Sequence, residues 1–433
     1  MTIKQLDWLN VPDGFEFRVV ETDEELEELI KFNATIHEPT DGEFLKRLIE
    51  NLPRFGREMN FYIRDSEKGH IVSSINAIPS VWEYDGIALN NLELGFVGTL
   101  KEYREKGLLR ILYSYFDRLL KNYDISTIQG IPYLYRTFGY DFIIPLARKF
   151  SLRVDNIPSF NKESPPDFMS IIIRPATKSD RADIVKLYDE LKSRLLVSVR
   201  RDEELWNVQE RLKVGDDDTF ETMVIERENT IDGYFRVLVR GKTSTAPYEV
   251  YLDVIESSIR SFDSVMRTLH FLKEEAIKKS LYLITVPGTT KSNLSRIALD
   301  FGGAIGSEWK HQIRVPNVVK FLNTIRPVLE RRLQGTIFKD LSQVIFINTY
   351  RHCYVLNFNK GSLKPIDDIG VQEIGTKREI RMPPPDFVRL ILGEYSIDEL
   401  RRINMDFVVT GSHKALLETL FPKRESYIFL YHC

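Results

Sequence analysis

The chain has 433 residues, of which 43% are hydrophobic and 28% are charged, values that fit a globular protein of two to four domains. Its formal net charge of −3 shows no basic excess, so the sequence argues against nucleic acid as a partner. Two cysteines, Cys353 and Cys433, argue against a disulfide framework. No apolar run approaches the roughly 20 residues that span a bilayer, and the first residues lack the apolar core of a signal peptide. We therefore expect a cytoplasmic protein with no membrane partner.

The first region alternates predicted strands and helices. A strand at 15–21 precedes Thr22 and Glu25, which have the spacing of a capping box at a helix start. The following elements are then expected in chain order: a helix near 44–52, strands at 60–65, 70–84 and 89–100, a helix after Gly107, a strand at 125–131, and a short helix and a last strand within 133–143.

The residue composition of the sequence changes near residue 150. Residues 154–168 are polar, contain three prolines and are interpreted as a linker. After it, the pattern of strand, arginine, cap and helix recurs, with Leu29 and Val185 each eleven residues beyond an arginine, which indicates a repeated domain. The third region is expected to contain a helix at 318–333, strands at 336–341, 343–350 and 353–359, two short helices on either side of Gly393, and an apolar strand at 426–433. The sequence thus predicts three domains, at 1–153, 170–314 and 315–433.

The stretch GFVGTLKEYREKGLLRIL, residues 95–112, is expected to form a strand, a charged turn and a helix. The first turn of such a helix presents free N–H groups and the positive end of the helix dipole, which together make an anion site. Gly107 would let the backbone approach a large anion without a Cβ clash, and Arg104 and Lys106 add positive charge. A pyrophosphate suits this arrangement. The alternative is that Gly107 only eases a tight turn and that the charges are solvated.

Two motifs carry a resemblance to a known family. R-x-x-G-L-L-R at 104–110, followed by Y-x-x-F-G-Y at 135–140, resembles the Eis-like (enhanced intracellular survival) acetyltransferases within the GCN5-related N-acetyltransferases (GNAT). The resemblance covers nearly the whole chain and implies an α+β fold class. It implies tandem GNAT folds, with mixed, mostly antiparallel sheets flanked by helices, and then a C-terminal domain like the sterol carrier proteins. The second GNAT domain is expected to be degenerate, because no R-x-x-G precedes its helix near 255–265.

The resemblance implies acetyl-CoA as the cofactor. Val97, Gly98 and Thr99 would lie along its pantetheine arm, with the N–H of Val97 facing the thioester oxygen. The resemblance also implies which residues would surround the pyrophosphate, mostly through backbone N–H groups: Arg104, Glu105, Lys106, Gly107, Leu108 and Leu109. Glu105 departs from the family, which is usually basic at this position.

Two catalytic groups follow from the same resemblance. Tyr135 matches the general-acid tyrosine, whose phenol can give a proton to the departing thiolate. The alternative is that Tyr135 only packs in an aromatic cluster. The implied general base is the terminal carboxylate of Cys433, and the alternatives are a plain edge strand or His432 as a competing base. No histidine and cysteine cluster has metal-ligand spacing, so no metal is expected.

The expected activity is the transfer of an acetyl group from acetyl-CoA directly to a primary amine. The acceptor would be a polyamine, an aminoglycoside-like sugar or a lysine side chain. The resemblance also implies a homo-oligomer such as a hexamer. The alternative function is a non-catalytic protein that binds acyl-CoA or an apolar ligand through its C-terminal domain. The sequence leaves open the acceptor, the length of the acyl group and the ligand of the C-terminal domain.

Overall fold

The structure, a computed structural model, describes residues 7–146, 148–161, 163–211, 220–241, 250–306, 309–373 and 380–429. Its first region contains β1 (Phe15–Val19), α1 (Asp23–Ile36), α2 (Pro39–Asn51), β2 (Asn60–Asp65), β3 (Ile71–Tyr84), β4 (Ile87–Thr99), α3 (Leu108–Leu119), β5 (Ile125–Ile128) and β6 (Asp141–Leu146). The predicted capping box starts α1, because Glu25 N donates to Thr22 Oγ1 and Thr22 N donates to Glu25 Oε2, both at 3.2 Å. Helix α2 begins earlier than expected because a proline at its first position suits a helix start.

The middle and last regions continue the alternation of strands and helices. The middle region contains β7 (Lys149–Arg153), β8 (Ile172–Pro175), α4 (Arg181–Lys192), β9 (Val197–Val199), α5 (Glu203–Arg211), β10 (Glu221–Arg227), β11 (Thr230–Arg240), β12 (Tyr251–Ile259), α6 (Phe262–Lys278), β13 (Leu283–Pro287), α7 (Asn293–Asp300), β14 (Ala304–Ile305) and β15 (Trp309–Arg314). The last region contains α8 (Val318–Thr324), α9 (Arg326–Leu333), β16 (Gln343–Asn348), β17 (Cys353–Asn359), β18 (Ser362–Leu363), β19 (Asp367–Asp368), β20 (Ile380–Arg381), α10 (Pro384–Ile391), α11 (Ile397–Ile403) and α12 (Gly411–Leu420).

The first sheet has the strand order β1-β2-β3-β4-β5-β15-β6, and β9 pairs with β3. Strands β1 to β4 run antiparallel to their neighbours, whereas β4 and β5 are parallel, because α3 provides the crossover connection between them. Leu108, Leu112 and Phe116 of α3 are buried in one apolar cluster with Leu92 and Leu94 of β4. The helix that follows the charged turn is thus fixed on the sheet by its apolar face.

The second sheet has the order β14-β7-β13-β12-β11-β10-β8. Strand β7, which the sequence places in the first domain, pairs with β13 of this sheet, and β15, placed in the second domain, lies between β5 and β6 of the first sheet. The two sheets therefore exchange strands across the linker. The domain boundaries at 153, 170, 314 and 315 stay predictions.

The third sheet has the order β18-β17-β16-β20, with β19 paired to β17. Three expectations for this region are wrong. Residues 426–429, the described part of the strand expected at 426–433, form no strand. The helix expected at 318–333 is split into α8 and α9 at Ile325, because a proline in the first turn of α9 has no N–H for a continuous helix. The strand expected at 336–341 is instead a turn, in which the Thr336 hydroxyl donates to Leu333 O (2.7 Å) and accepts from Phe338 N (3.1 Å).

The third region is joined to the first sheet by a shared core. Tyr84 of β3 is fully buried, packs edge-on against Phe321 with ring centroids 5.9 Å apart, and donates its hydroxyl hydrogen to Ile391 O (2.8 Å). Asp85, in the following turn, binds Arg332 and Arg424 at 3.0 and 2.8 Å. None of the helices in the described part of the chain combines the length and apolar character that a membrane span requires.

Candidate active site

A β-bulge interrupts β4 next to the charged turn. The register with β3 shifts between Gly95 and Gly98, so Phe96 and Val97 together oppose a single residue of β3. Phe96 has φ +43°, a left-handed conformation that costs energy in a residue other than glycine. Bulges bend a strand and redirect its peptide groups. Val97, predicted to contact the pantetheine arm, therefore lies where the regular pairing of β4 is broken.

Strands β4 and β5 part just before this bulge. Residues 91–93 of β4 pair with residues 125–127 of β5, and β4 then continues along β3 alone to Thr99. A strand edge that loses its neighbour offers backbone donors and acceptors to an extended ligand. Val97, Gly98 and Thr99 lie on the stretch of β4 that no longer pairs with β5, and their contact with a cofactor stays a prediction.

Gly98 has a packing role as well. A Cβ added there would lie 2.7 Å from Ile36 Cγ2, so the end of α1 rests directly on the strand. Gly95 is similar, because its added Cβ would lie 2.6 Å from Ile78 Cδ1. These two glycines bring side chains close to the bulge on both sides, which fixes its position.

Helix α3 begins directly after Gly107 with an open N-terminus. Gly107 has φ +78° and ψ 3°, and no side chain caps the helix. Arg110 N and Ile111 N donate to Gly107 O, so the N–H groups of Leu108 and Leu109 have no acceptor within the helix. A Cβ added to Gly107 would meet no atom within 4 Å. The left-handed backbone thus explains the glycine, and the two N–H groups without an acceptor are the kind of donors that bind an anion at a helix start.

The charged turn before Gly107 is exposed. Arg104 Nε donates to Thr99 O (3.3 Å), which ties the turn to the end of β4. The Lys106 ammonium lies 4.8 Å from the centroid of the Tyr103 ring, so an aromatic face holds this cation beside the helix start. Glu105 is exposed and has φ +66°. Residues 104–106 therefore place two cations and one acid directly before the free N–H groups of the helix start.

Tyr135 lies in a short 3-10 helix, Leu134–Phe138, and only 5% of its surface is exposed. Its ring packs edge-on against Tyr140, with centroids 6.4 Å apart, and a Cβ added to Gly130 would lie 2.2 Å from its Cε2 atom. Gly130 is therefore required for the position of this ring. Burial raises the pKa of the Tyr135 hydroxyl to about 12, so the phenol keeps its proton at neutral pH and can act as an acid.

Glu93 is a candidate that the sequence prediction missed. It is the last β4 residue that pairs with β5, only 7% of its surface is exposed, and Gln129 Nε2 donates to its Oε1 at 3.3 Å. Asn91, two residues earlier on the same face, donates to Ser80 Oγ and Thr127 Oγ1, both at 3.0 Å. A signal existed in the sequence, because NNLELG alternates polar and apolar residues in a central strand, where both faces are covered.

The predicted base at Cys433, and the competing His432, lie outside the described residues. The described segment before them runs beside β9, because Leu196 N donates to Glu425 O (2.8 Å) and Tyr427 N donates to Val197 O (3.1 Å). Tyr427 is buried, and its hydroxyl donates to Arg148 O (3.0 Å). The role of Cys433 stays a prediction.

The helix of the middle region that corresponds to α3 is capped differently. Ser261 precedes α6 and accepts a hydrogen bond from Ser264 N (3.2 Å). The carboxylate of Asp232 in turn accepts from the hydroxyl groups of both serines, each at 2.5 Å. An acidic side chain thus lies at this helix N-terminus, where it would repel a phosphate group.

The backbone features described above follow one another closely along the chain. Within the described ranges, no group of three or more His, Cys, Asp and Glu side chains is placed to hold a metal. The parted strands β4 and β5, the bulge at Val97 and the open helix start at Gly107 together offer an edge for an extended arm and donors for a diphosphate. On β4 and the turn that follows it, these features lie in one continuous stretch, 91–109.

Comparison with known proteins agrees with this architecture. No family model matches the chain, and no curated protein is similar to it in sequence. Among solved structures, it is similar to a GCN5-related N-acetyltransferase from Anabaena variabilis ATCC 29413 (14% identity, TM-score 0.69) and to a probable N-acyltransferase from Enterococcus faecalis V583 (12% identity, TM-score 0.70). It is also similar to Eis1 from Mycobacterium abscessus (13% identity, TM-score 0.59). Each comparison covers 96% of this chain and 99% of the other.

At these identities the likeness shows the fold. The predicted α+β class with GNAT folds is confirmed by structures that cover nearly the whole chain, whereas the likeness of the last region to sterol carrier proteins stays a prediction. The chain therefore has the fold of the GCN5-related N-acetyltransferases.

Proposed function

We propose that the protein is an acetyl-CoA-dependent N-acetyltransferase of the Eis-like type that acts on a primary amine. The observation that carries this proposal is the joint geometry of residues 91–109. There, β4 parts from β5, bulges at Val97 and leads into the open N-terminus of α3 at Gly107. The names of the structurally similar proteins support acyl transfer as the class of reaction.

In this proposal the chain holds the cofactor mainly through backbone groups. The N–H groups of Gly107, Leu108 and Leu109 would bind the diphosphate, with Arg104 adding positive charge. When bound, acetyl-CoA supplies the acetyl thioester. The N–H of Val97 would donate to the thioester oxygen and stabilise the negative charge that develops there.

In this proposal the two proton transfers are assigned to separate groups. Tyr135, whose pKa is raised to about 12 by burial, would give its proton to the departing thiolate. The proton of the amine would go to the terminal carboxylate of Cys433, as the sequence predicts, and the buried Glu93 is a second candidate for this role. The middle region would serve as scaffold, because Asp232 occupies the N-terminus of α6.

The acceptor is proposed to be a polyamine, an aminoglycoside-like sugar or a lysine side chain. A homo-oligomeric state and a cytoplasmic location are part of the same proposal. The test measures free thiol released from acetyl-CoA with a panel of these amines. Thiol release that depends on an amine supports the proposal, and release no faster than hydrolysis with every amine contradicts it.

Tyr135→Phe tests the acid. Turnover should fall by about 10² to 10⁴-fold with unchanged affinity for coenzyme A, because a general acid contributes that much. Tyr133→Phe is the matched control, since Tyr133 is 75% exposed two residues earlier, and it should keep full turnover. The base is tested by comparing Glu93→Gln with a chain extended beyond Cys433. Loss in only one of the two identifies the group that takes the proton.

A further inference from the structure

A cavity of about 770 Å³ lies between the first sheet and the last region. Asp141 of β6 and Arg314 of β15 line one side, and Tyr354 of β17 and Phe387 of α10 line the other. None of the residues predicted to bind acetyl-CoA is among those that line it. Its volume falls within the roughly 300–1,000 Å³ that small-molecule sites occupy. The cavity is thus a second place where a small ligand fits.

One wall of this cavity is aromatic. The rings of Tyr354 and Phe387 are stacked, with centroids 5.4 Å apart and planes inclined by 22°, and His352 is stacked on Tyr354 at 6.1 Å and 13°. The lining also includes Val315 and Val318 from the start of the last region. The stacked rings and these aliphatic side chains form an apolar part of the cavity, a slot that suits a flat apolar group.

The charged residues of the cavity are not equally engaged. Arg389 binds Asp141 with Nε at 2.6 Å and Nη2 at 2.5 Å, and it also binds Asp386 at 2.9 Å. Arg314 donates to Asp117 Oδ1 (2.5 Å) on α3, so both of these cations are neutralised by neighbouring carboxylates.

Arg351 at the rim differs from these two cations. It is exposed, and it makes no hydrogen bond or ion pair with any residue in the described ranges. Arg136, also at the rim, has a side chain that is 53% exposed and lies 3.7 Å from Asp141, which Arg389 already engages. Arg351 and Arg136 therefore add exposed positive charge to a cavity whose other two arginines are paired with carboxylates.

We propose that this cavity binds a small aromatic carboxylate. The flat ring would lie in the slot beside Tyr354 and Phe387, and the carboxylate would accept two hydrogen bonds from the guanidinium group of Arg351. Arginine suits this contact because its planar fork matches a carboxylate. The proposed site is separate from the acetyl-CoA stretch, so it does not depend on the proposed acyl transfer.

The test is isothermal titration calorimetry of the full chain with 2-naphthoate, and with 2-naphthamide as the uncharged analogue of the same shape. One equivalent of 2-naphthoate should bind, and the amide should bind about tenfold to a hundredfold more weakly, because it cannot form the charged pair. Absence of 2-naphthoate binding up to about 1 mM, or equal affinity for both compounds, overturns the proposal.

Two variants locate the ligand. Arg351→Gln should weaken 2-naphthoate binding by about tenfold to a hundredfold and leave 2-naphthamide binding unchanged, while Arg402→Gln, an exposed arginine of α11 outside the cavity, should change neither. Val388→Trp fills the slot and should abolish binding of both compounds. Since Arg351 is exposed, its variant will fold. If Arg351→Gln binds 2-naphthoate with unchanged affinity, the ligand binds elsewhere and the proposal is wrong.

Discussion

Replacing Gly107 with alanine separates the conformational demand of the turn from the binding of an anion. With φ +78°, an alanine at this position costs about 1–2 kcal/mol of folding stability. No atom lies within 4 Å of the added Cβ, so no clash adds to that cost. The substitution also shifts the N–H groups of Leu108 and Leu109. Losing one hydrogen bond to a charged phosphate costs about 1.5–3 kcal/mol, which weakens the binding of coenzyme A about tenfold to a hundredfold.

The assay is calorimetric titration with coenzyme A beside thermal unfolding. Gly86→Ala is the matched control, because Gly86 has φ +90° and its added Cβ also meets no atom within 4 Å. Gly86 precedes β4, whose 13 residues separate it by about 40 Å from Thr99. Both variants should lose similar stability, and only Gly107→Ala should lose affinity. Equal affinity loss in both, or none in Gly107→Ala, would refute the assignment of the helix start as the anion site.

Three further results are expected. Gly130→Ala should lower turnover about tenfold to a hundredfold with unchanged coenzyme A affinity, because its Cβ would displace the Tyr135 ring; a parallel fall in affinity would contradict this. Glu256→Gln should cost about 3–5 kcal/mol in urea unfolding, since it leaves the buried Arg201 and Arg236 without the carboxylate between them. Burial alone would raise the pKa of Glu256, but these two guanidinium groups lower it to about 2, below its ordinary 4.5. The folding stability that this depressed pKa contributes is complete above pH 4.5 and is lost as the pH falls through 2. The difference in melting temperature between wild type and Glu256→Gln should therefore shrink across that pH range. A constant difference would exclude this coupling between the protonation of Glu256 and folding.

Signals that are local in the chain were readable from the sequence. The Thr22 and Glu25 capping box lies within four residues, and it forms as expected. The strand, turn and helix around Gly107 also depend on neighbours in the sequence. The physical reason for Gly107 was only partly anticipated. The sequence suggested that a glycine leaves room for a bound anion, and the structure adds that its backbone is left-handed, with φ +78°. A single sequence cannot reveal that angle until the path of the turn is known.

Features built from distant residues could not be read in the same way. Glu93 and Gln129 meet across two parallel strands, although 36 positions separate them in sequence. The cavity joins Asp141 to Arg389 across 248 positions. Periodicity shows which face of an element is apolar, but it does not say which other element covers that face. Periodicity likewise cannot show that β7 and β15 pair in each other's sheet, because it does not identify the partner strand.

The insertion of β15 between β5 and β6 bears on how the chain is made. While the polypeptide emerges from the ribosome, the sheet that begins with β1 cannot close until Arg314 has been synthesised, because an inner position of that sheet stays empty. At about 5–20 residues per second, the nascent protein waits roughly ten seconds or longer with β5 and β6 unjoined. Because β7 and β15 each occupy an inner position in the other region's sheet, removing the first or the middle region would leave a gap in the sheet of the other.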